Sequence, residues 1–482
     1  MQKSRNGNKK NYITGLKSRG KQTGILFVGL ILISLSIGIA TINLREYNNN
    51  QNQFYDDIGL ITNSNGKTWE STGYNIQKAI DDLGASGGTV RLPVGTFNIS
   101  TPIEIDNYIT LCGVGELTRL RASADMTGII INKNYGTENC LYFVIRDLSL
   151  DGNGYTLNGI SIHTLNLSEG RIYSHALISH VHIHSCDGHA IFFDDAGTSA
   201  FENNYLGSFL GGVGVDYNNG DGLHIENSND CTIVGNHILE NRGNGIYTEA
   251  GHTGVVTGNY IAHNIGHGIS CVDEGNYEIT GNIVTQNGMD GIRLSNFHLT
   301  TISGNQLSGN GNHGIKITDV SRYNSIVGNN IYNSNIGVEI NNSETNSVQS
   351  NFFRDNDIGV HLYFTSHILV DGNEFYSQQD DSIYVPNGGT PYELKISNNL
   401  IIDGTNGIRI LDGSDVCISD NRIEGCTTPI DISNANVVRP LIIGNNWEGC
   451  SNDCNSANAT NPRVTSNIDK NGAWWTIGDN PN

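Results

Sequence analysis

The sequence predicts an all-β chain wound as a parallel β-helix solenoid, and three observations predict it. The first is a repeated phrase. "ENRGNGIYTEAGHTGVVTGNYI", residues 240–261, is followed by "AHNIGHGISCVDEGNYEITGNIV" on the same plan, and its Gly recurs as Gly222, Gly245, Gly268, Gly291, Gly314, Gly337 and Gly359. The steps are 23 residues five times and then 22. The second is an Asn in step with that Gly: Asn236, Asn259, Asn282, Asn305, Asn329, Asn351, Asn373, Asn399, Asn421 and Asn445, each before an apolar pair. The third is composition, 59 Gly in 482 residues with only 16% charged, which suits a turn-rich β chain. "GIYTE" and "GIKIT" alternate apolar and polar residues, the period of a strand. A coil of this length with short strands and no helical period is one rung of a solenoid. Rungs stack about 4.8 Å apart, and a repeated Asn then forms an internal ladder that pairs amides otherwise buried alone. Roughly a dozen rungs are expected, about 60 Å of rod.

The elements follow in order. Residues 1–23 hold seven Lys or Arg and no acid, and residues 24–42, "GILFVGLILISLSIGIATI", are uncharged and apolar. That reads as a basic cytoplasmic leader and a transmembrane signal-anchor, with the rest outside; a cleaved signal peptide is the alternative. A polar linker covers 43–69. "NIQKAIDDLGAS", 75–86, has apolar residues at 76, 79, 80 and 83, an amphipathic helix with Asn75 as N-cap and Gly84 as stop. It is expected to cap the N-terminal end within a first unit at 70–120. The β-helix runs over 121–450, and 451–482, with Trp474 and Trp475, forms a C-terminal tail or cap. Nine Cys are present; Cys450 with Cys454, and Cys417 with Cys426, are near enough in sequence to pair. Without the seven leader cations the chain carries 20 cations against 48 acids, or −28, which disfavours nucleic acid as a partner.

The helix, then "GGTVRLPVGTFNIS" at 87–100 and "ITLCGVGELTRL" at 109–120, resemble the opening of the pectate-lyase-like superfamily of right-handed parallel β-helix proteins. The Gly-Asn coils resemble its repeats, over roughly residues 70–450. The resemblance implies a right-handed solenoid. It leaves activity open, because that superfamily includes lyases, hydrolases, epimerases, tailspikes and inactive scaffolds.

Alternation sends positions one and three after the marker Gly inward: Leu223/Ile225, Ile246/Thr248, Ile269/Cys271, Ile292/Leu294 and Ile315/Ile317. Cys271 is thereby expected to be a buried free thiol. Position two points out and reads Ser161, Phe192, His224, Tyr247, Ser270, Arg293, Lys316, Glu339, His361, Tyr384, Arg409. Position four reads His163, Asp194, Glu226, Glu249, Val272, Ser295, Thr318, and the residue before the marker reads His189, Asp221, Asn244, His267, Asp290, His313. These columns form one polar surface. Stacked Asp194, Glu226 and Glu249 would repel unless a hard cation such as Ca²⁺ lies among them; otherwise they splay into water. "LISHVHIHSC" sets His180, His182 and His184 on one strand, nearly 7 Å apart and too far for one metal ion.

Asn219-Gly220-Asp221, Gly266-His267-Gly268 and Arg293 resemble, in order and spacing, motifs of the polygalacturonases. The resemblance implies Asp221 as acid or base, with His267 and Arg293 orienting substrate. The family's second Asp would fall at Gly243-Asn244 and its final Lys at Ser295, so the opposed carboxyl pair of an inverting hydrolase is missing. Lyase or epimerase chemistry needs less: a cation at the uronate carboxylate and a base for the C5 proton. Arg293, Lys316 and His267 are the catalytic candidates for that, with His224, Tyr247 and His313 as substrate contacts. The functional expectation is a membrane-anchored β-helix acting on or binding polysaccharide, foremost a lyase- or epimerase-like enzyme on uronate-containing glycan. A non-catalytic glycan-binding or structural protein is the alternative, and a glycoside hydrolase the third.

Overall fold

The computed structural model describes residues 59–137, 140–164, 174–195, 197–208, 217–389 and 391–475. The chain forms a right-handed β-solenoid of about 15 turns. That exceeds the expected dozen, because coils before Gly159 and after Asn445 stack in the same way without carrying both sequence markers. Parallel pairing begins with Gly88–Arg91 against Ile109–Cys112 and continues to Arg463–Thr465 against Leu441–Ile443.

Each regular rung has three strands, as in Ile246–Glu249, His252–Thr257 and Tyr260–Ala262. The Gly-Asn pair separates the second strand from the third, and Gly235, Gly258, Gly281, Gly304 and Gly328 adopt φ of 62 to 66° there. Only Gly adopts that left-handed turn without a Cβ penalty. The marker Gly serves a different need. A Cβ at Gly245 would lie 2.4 Å from Ile261 Cγ2 and 2.6 Å from the Gly268 carbonyl oxygen, so the coil turns inward at a point with no room for a side chain.

Inside, the expected core positions from Leu223 to Ile317 are buried. Cys271 is among them, and all nine cysteines are free thiols. The disulfides expected from sequence proximity are therefore absent. Instead the Cys450 thiol donates to the Ile423 carbonyl one coil away, at 3.5 Å, because neighbours in a solenoid are one coil apart in sequence.

The Asn ladder runs from Asn204 to Asn467, each Nδ2 donating to the next Oδ1, as in Asn259 to Asn282 at 2.9 Å and Asn445 to Asn467 at 3.1 Å. A second ladder, unforeseen, joins Asn218, Asn241, Asn264, Asn287 and Asn310. Its 23-residue spacing was visible in the sequence, but these Asn lack the flanking apolar pair that marks the first.

The helix spans Gly73–Asp81 and buries Ile76, Ala79 and Ile80. It starts two residues before the expected cap, since Thr72 Oγ1 accepts from the Asn75 amide and Asn75 lies within the first turn. It packs against the first five strands, Leu60–Asn63 through Ile103–Ile105.

The expectation of a single-pass membrane protein is corrected. Among the described residues no helix is long and apolar enough to cross a membrane; the longest has nine residues, where a span takes about 20. The 24–42 segment and the basic leader lie outside the described residues.

Candidate functional site

The outward columns are in register. Ser161, Phe192, His224, Tyr247, Ser270, Arg293, Lys316, Glu339, His361, Tyr384 and Arg409 pair rung to rung. Asp194, Glu226 and Glu249 pair likewise. All the candidate residues therefore share one face. Side-chain contacts divide them into two clusters, and the second spans the rung of Arg293, a cation without an ion-pair partner among the described residues.

The first cluster centres on Asp221. Its Oδ2 lies 2.6 Å from His224 Nδ1 and 3.4 Å from His189 Nδ1. Its Oδ1 accepts from the Asn244 amide at 2.5 Å and the Asn244 side chain at 3.0 Å. Burial alone would raise the Asp221 pKa, but the His189 and His224 imidazoles beside it and the Asn244 amide hold it well below the usual carboxylate range. Such a carboxylate is a poor proton donor or acceptor at neutral pH. A polygalacturonase's second Asp would fall at Gly243-Asn244; a Cβ at Gly243 would lie 2.3 Å from Asp221 Oδ1, and Asn244 places an amide, not a carboxyl, 3.0 Å from that oxygen. The opposed carboxyl pair is therefore missing: Gly243 has no room for a side chain and Asn244 supplies an amide.

His224 also reaches Glu226 Oε1 through Nε2, at 2.7 Å. Burial opposes its charge, but the two carboxylates raise its pKa. Its ring stacks between Phe192 at 5.4 Å and Tyr247 at 4.7 Å. The Tyr247 hydroxyl donates to Glu249 Oε2 at 2.5 Å. Burial, then that bond, push the phenol pKa up, so Tyr247 stays protonated.

The second cluster lies three rungs along. Asp290 Oδ2 is 3.2 Å from His267 Nδ1, and Asp290 Oδ1 is 2.6 Å from His313 Nδ1. Glu339 accepts from Lys316 at 2.9 Å and His361 at 3.0 Å, with His313 Nε2 at 3.5 Å. Burial resists charge on His313, but Asp290 and Glu339 raise its pKa to about 9. The same contacts hold both carboxylates well below their usual range, against their burial.

Arg293 lies on the rung of Asp290, beside Lys316 in the outward column. Its Nε is buried without a hydrogen-bond partner, and it has no ion-pair partner among the described residues, whereas Lys316 in the next rung is bound to Glu339.

The three carboxylates expected to hold calcium stack in register but face separate partners. Asp194 accepts from Asn227 at 2.9 Å, Glu226 binds His224, and Glu249 binds Tyr247. Among the described residues, the group that brings three ligating side chains together is instead His189, Asp221 and His224. The sequence signal for it was present, one His and one Asp before successive markers, but not the side-chain directions. In "LISHVHIHSC", His180 takes φ 54° and leaves the strand line. His182 and His184 stay in strand register, but their rings lean together, with centroids 4.8 Å apart.

Stacked three-stranded rungs, one continuous apolar core and internal Asn ladders define a right-handed parallel β-helix protein. The family description "Right handed beta helix region" matches residues 158–331, 290–436 and 336–480, more than half of the chain. The chain belongs to this family, and with it to the pectate-lyase-like superfamily. No curated protein matches the sequence. Among solved structures, the chain is similar to the tailspike protein of E. coli bacteriophage HK620 in complex with a pentasaccharide, at 12% identity and TM-score 0.51, over 81% of this chain and 76% of that one. It is also similar to the A-module of a mannuronan C-5 epimerase from Azotobacter vinelandii, at 20% identity and TM-score 0.47, over 76% and 94% of the two chains.

Proposed function

We propose that the face from Phe192 to Lys316 binds an anionic polysaccharide containing uronate. The observation that carries this is the unpaired Arg293. A guanidinium with no ion-pair partner among the described residues has its charge free for an anion, and a carboxylate fits its fork in a bidentate manner. Phe192, His224 and Tyr247 form a stacked ladder on three successive rungs, whose outward edges give a sugar chain an apolar strip to lie along. From Phe192 to Lys316 the column spans five steps, about 24 Å, so an oligosaccharide fits it better than a monomer. The helix Gly73–Asp81 is read as a cover for the N-terminal strand edges.

Lyase or epimerase chemistry at the same face is the second reading. One observation favours it: Glu249 accepts from Tyr247 through Oε2 alone, leaving Oε1 to take a C5 proton. Arg293, two rungs on, would stabilise the charge that develops at the uronate carboxylate. Calcium among Asp194, Glu226 and Glu249 enters this reading as a bridge to the carboxylate of a neighbouring uronate, with Arg293 at the next sugar.

Alginate and pectate oligomers titrated into wild type and Arg293→Gln, with and without chelator, test both readings. Saturable binding lost in Arg293→Gln supports the binding face. Loss on chelation assigns calcium a part. Unsaturated uronate in the ultraviolet, or changed C5 stereochemistry by NMR, abolished in Glu249→Gln, supports catalysis. Equal, negligible binding in all cases refutes the proposal.

A further inference from the structure

We infer that His189, Asp221 and His224 form a site for one divalent transition-metal ion, independently of any glycan. Their donor atoms all lie within 4.8 Å of one another. Donors about 2.1 Å from a tetrahedral ion are about 3.4 Å apart. The His189–Asp221 pair already has that separation, 3.4 Å, while His224 Nδ1, at 2.6 Å from the same oxygen, has only to draw back. The amide N–H of Asp221 also donates to His189 Nδ1, at 2.9 Å, and an ion would replace that contact.

Two further features suit a metal. The Asp221 oxygens are divided: Oδ1 is held by Asn244 through two N–H donors, and both imidazoles face Oδ2. His224 places its other nitrogen 2.7 Å from Glu226, the outer carboxylate that orients a ligating imidazole and raises its basicity. Two imidazoles and one carboxylate favour zinc-like ions over calcium, and three protein ligands leave a position open to water. His189, with its side chain 26% exposed, lies on the open side.

The molecule contains its own comparison. His267, Asp290 and His313 repeat the residue types three rungs along, but there the imidazoles face different oxygens of Asp290, and His313 turns its second nitrogen to Glu339. Only the first trio gathers its donors closely.

The test is Co²⁺ and Zn²⁺ titration of the chelator-stripped full chain. One Co²⁺ per chain is expected, with visible bands of nitrogen and oxygen coordination and no thiolate charge-transfer band. Zn²⁺ should displace it and raise Tm. His189→Ala should lose the site, Glu226→Gln should weaken it roughly ten- to a hundred-fold, and His267→Ala should retain it, each variant first shown to be folded by circular dichroism. No stoichiometric binding by wild type, a thiolate spectrum, or undiminished binding by folded His189→Ala would overturn the inference and leave the trio a hydrogen-bonded network.

Discussion

Asn282 Nδ2 donates to Asn305 Oδ1 at 3.0 Å, and the same nitrogen donates to the Val256 carbonyl at 2.9 Å. Asn282 Oδ1 in turn accepts from the Asn259 amide and side chain, at 3.0 and 2.9 Å. One buried side chain thus ties its own rung to both neighbours. Asn282→Ala leaves the Val256 carbonyl and the Asn259 amide without this partner, at an expected cost of about 2–3 kcal/mol. A fall in Tm, with faster amide exchange at Asn259, is the measurement. A near-neutral change would show that the ladder is dispensable.

The two kinds of Gly should fail in different ways. A Cβ at Gly268 would lie 2.3 Å from Val284 Cγ1 and 2.6 Å from the Gly291 carbonyl oxygen. Gly268→Ala should therefore cost about 1–3 kcal/mol or more by overpacking, and Val284→Ala should rescue it only in part, because the carbonyl contact persists. Gly258 has φ 65° and open space around it, so Gly258→Ala costs only about 1–2 kcal/mol of left-handed strain, with no rescue from Val284→Ala. Denaturation midpoints of these variants separate crowding from conformation.

The Asp290–His313–Glu339 network predicts a pH dependence of stability. The His313 pKa is raised from 6.5 to about 9, so its contribution is complete below 6.5 and lost as pH rises through 9. Asp290 and Glu339 are shifted down from 3.8 and 4.5, so theirs is complete above those values and lost as pH falls. Tm should be highest between roughly pH 5 and 6.5 and decline toward 9. His313→Gln should flatten the alkaline limb. An unchanged limb in that variant would assign it to other groups.

Arg293 and Lys316 adjoin in one column but should behave oppositely. Lys316→Gln removes a partner 2.9 Å from the buried Glu339 and should lower Tm, because a desolvated carboxylate then loses one of its donors. Arg293→Gln removes no ion pair and should leave stability within about 0.5 kcal/mol, while abolishing any uronate binding. Loss of stability in Arg293→Gln comparable to that in Lys316→Gln would make Arg293 a structural residue.

The sequence by itself determined the solenoid, its inward core and the register of the outward face. Strand alternation has a period of two and each coil stacks on the last, so residues one coil apart must be neighbours. That is why Phe192, His224, Tyr247 and Arg293 could be read as one column, and Cys271 as buried. It did not disclose where each polar side chain turns. Asp194, Glu226 and Glu249 stack as expected, yet Glu226 turns to His224 and Glu249 to Tyr247, because a hydrogen-bonding partner two residues away on the same strand is within reach and relieves charge that stacking would concentrate. The tertiary structure alone decided that His189 and His224 converge on one oxygen of Asp221 while His267 and His313 divide those of Asp290. Side-chain torsions respond to neighbours on adjoining rungs, and no period in the chain records them.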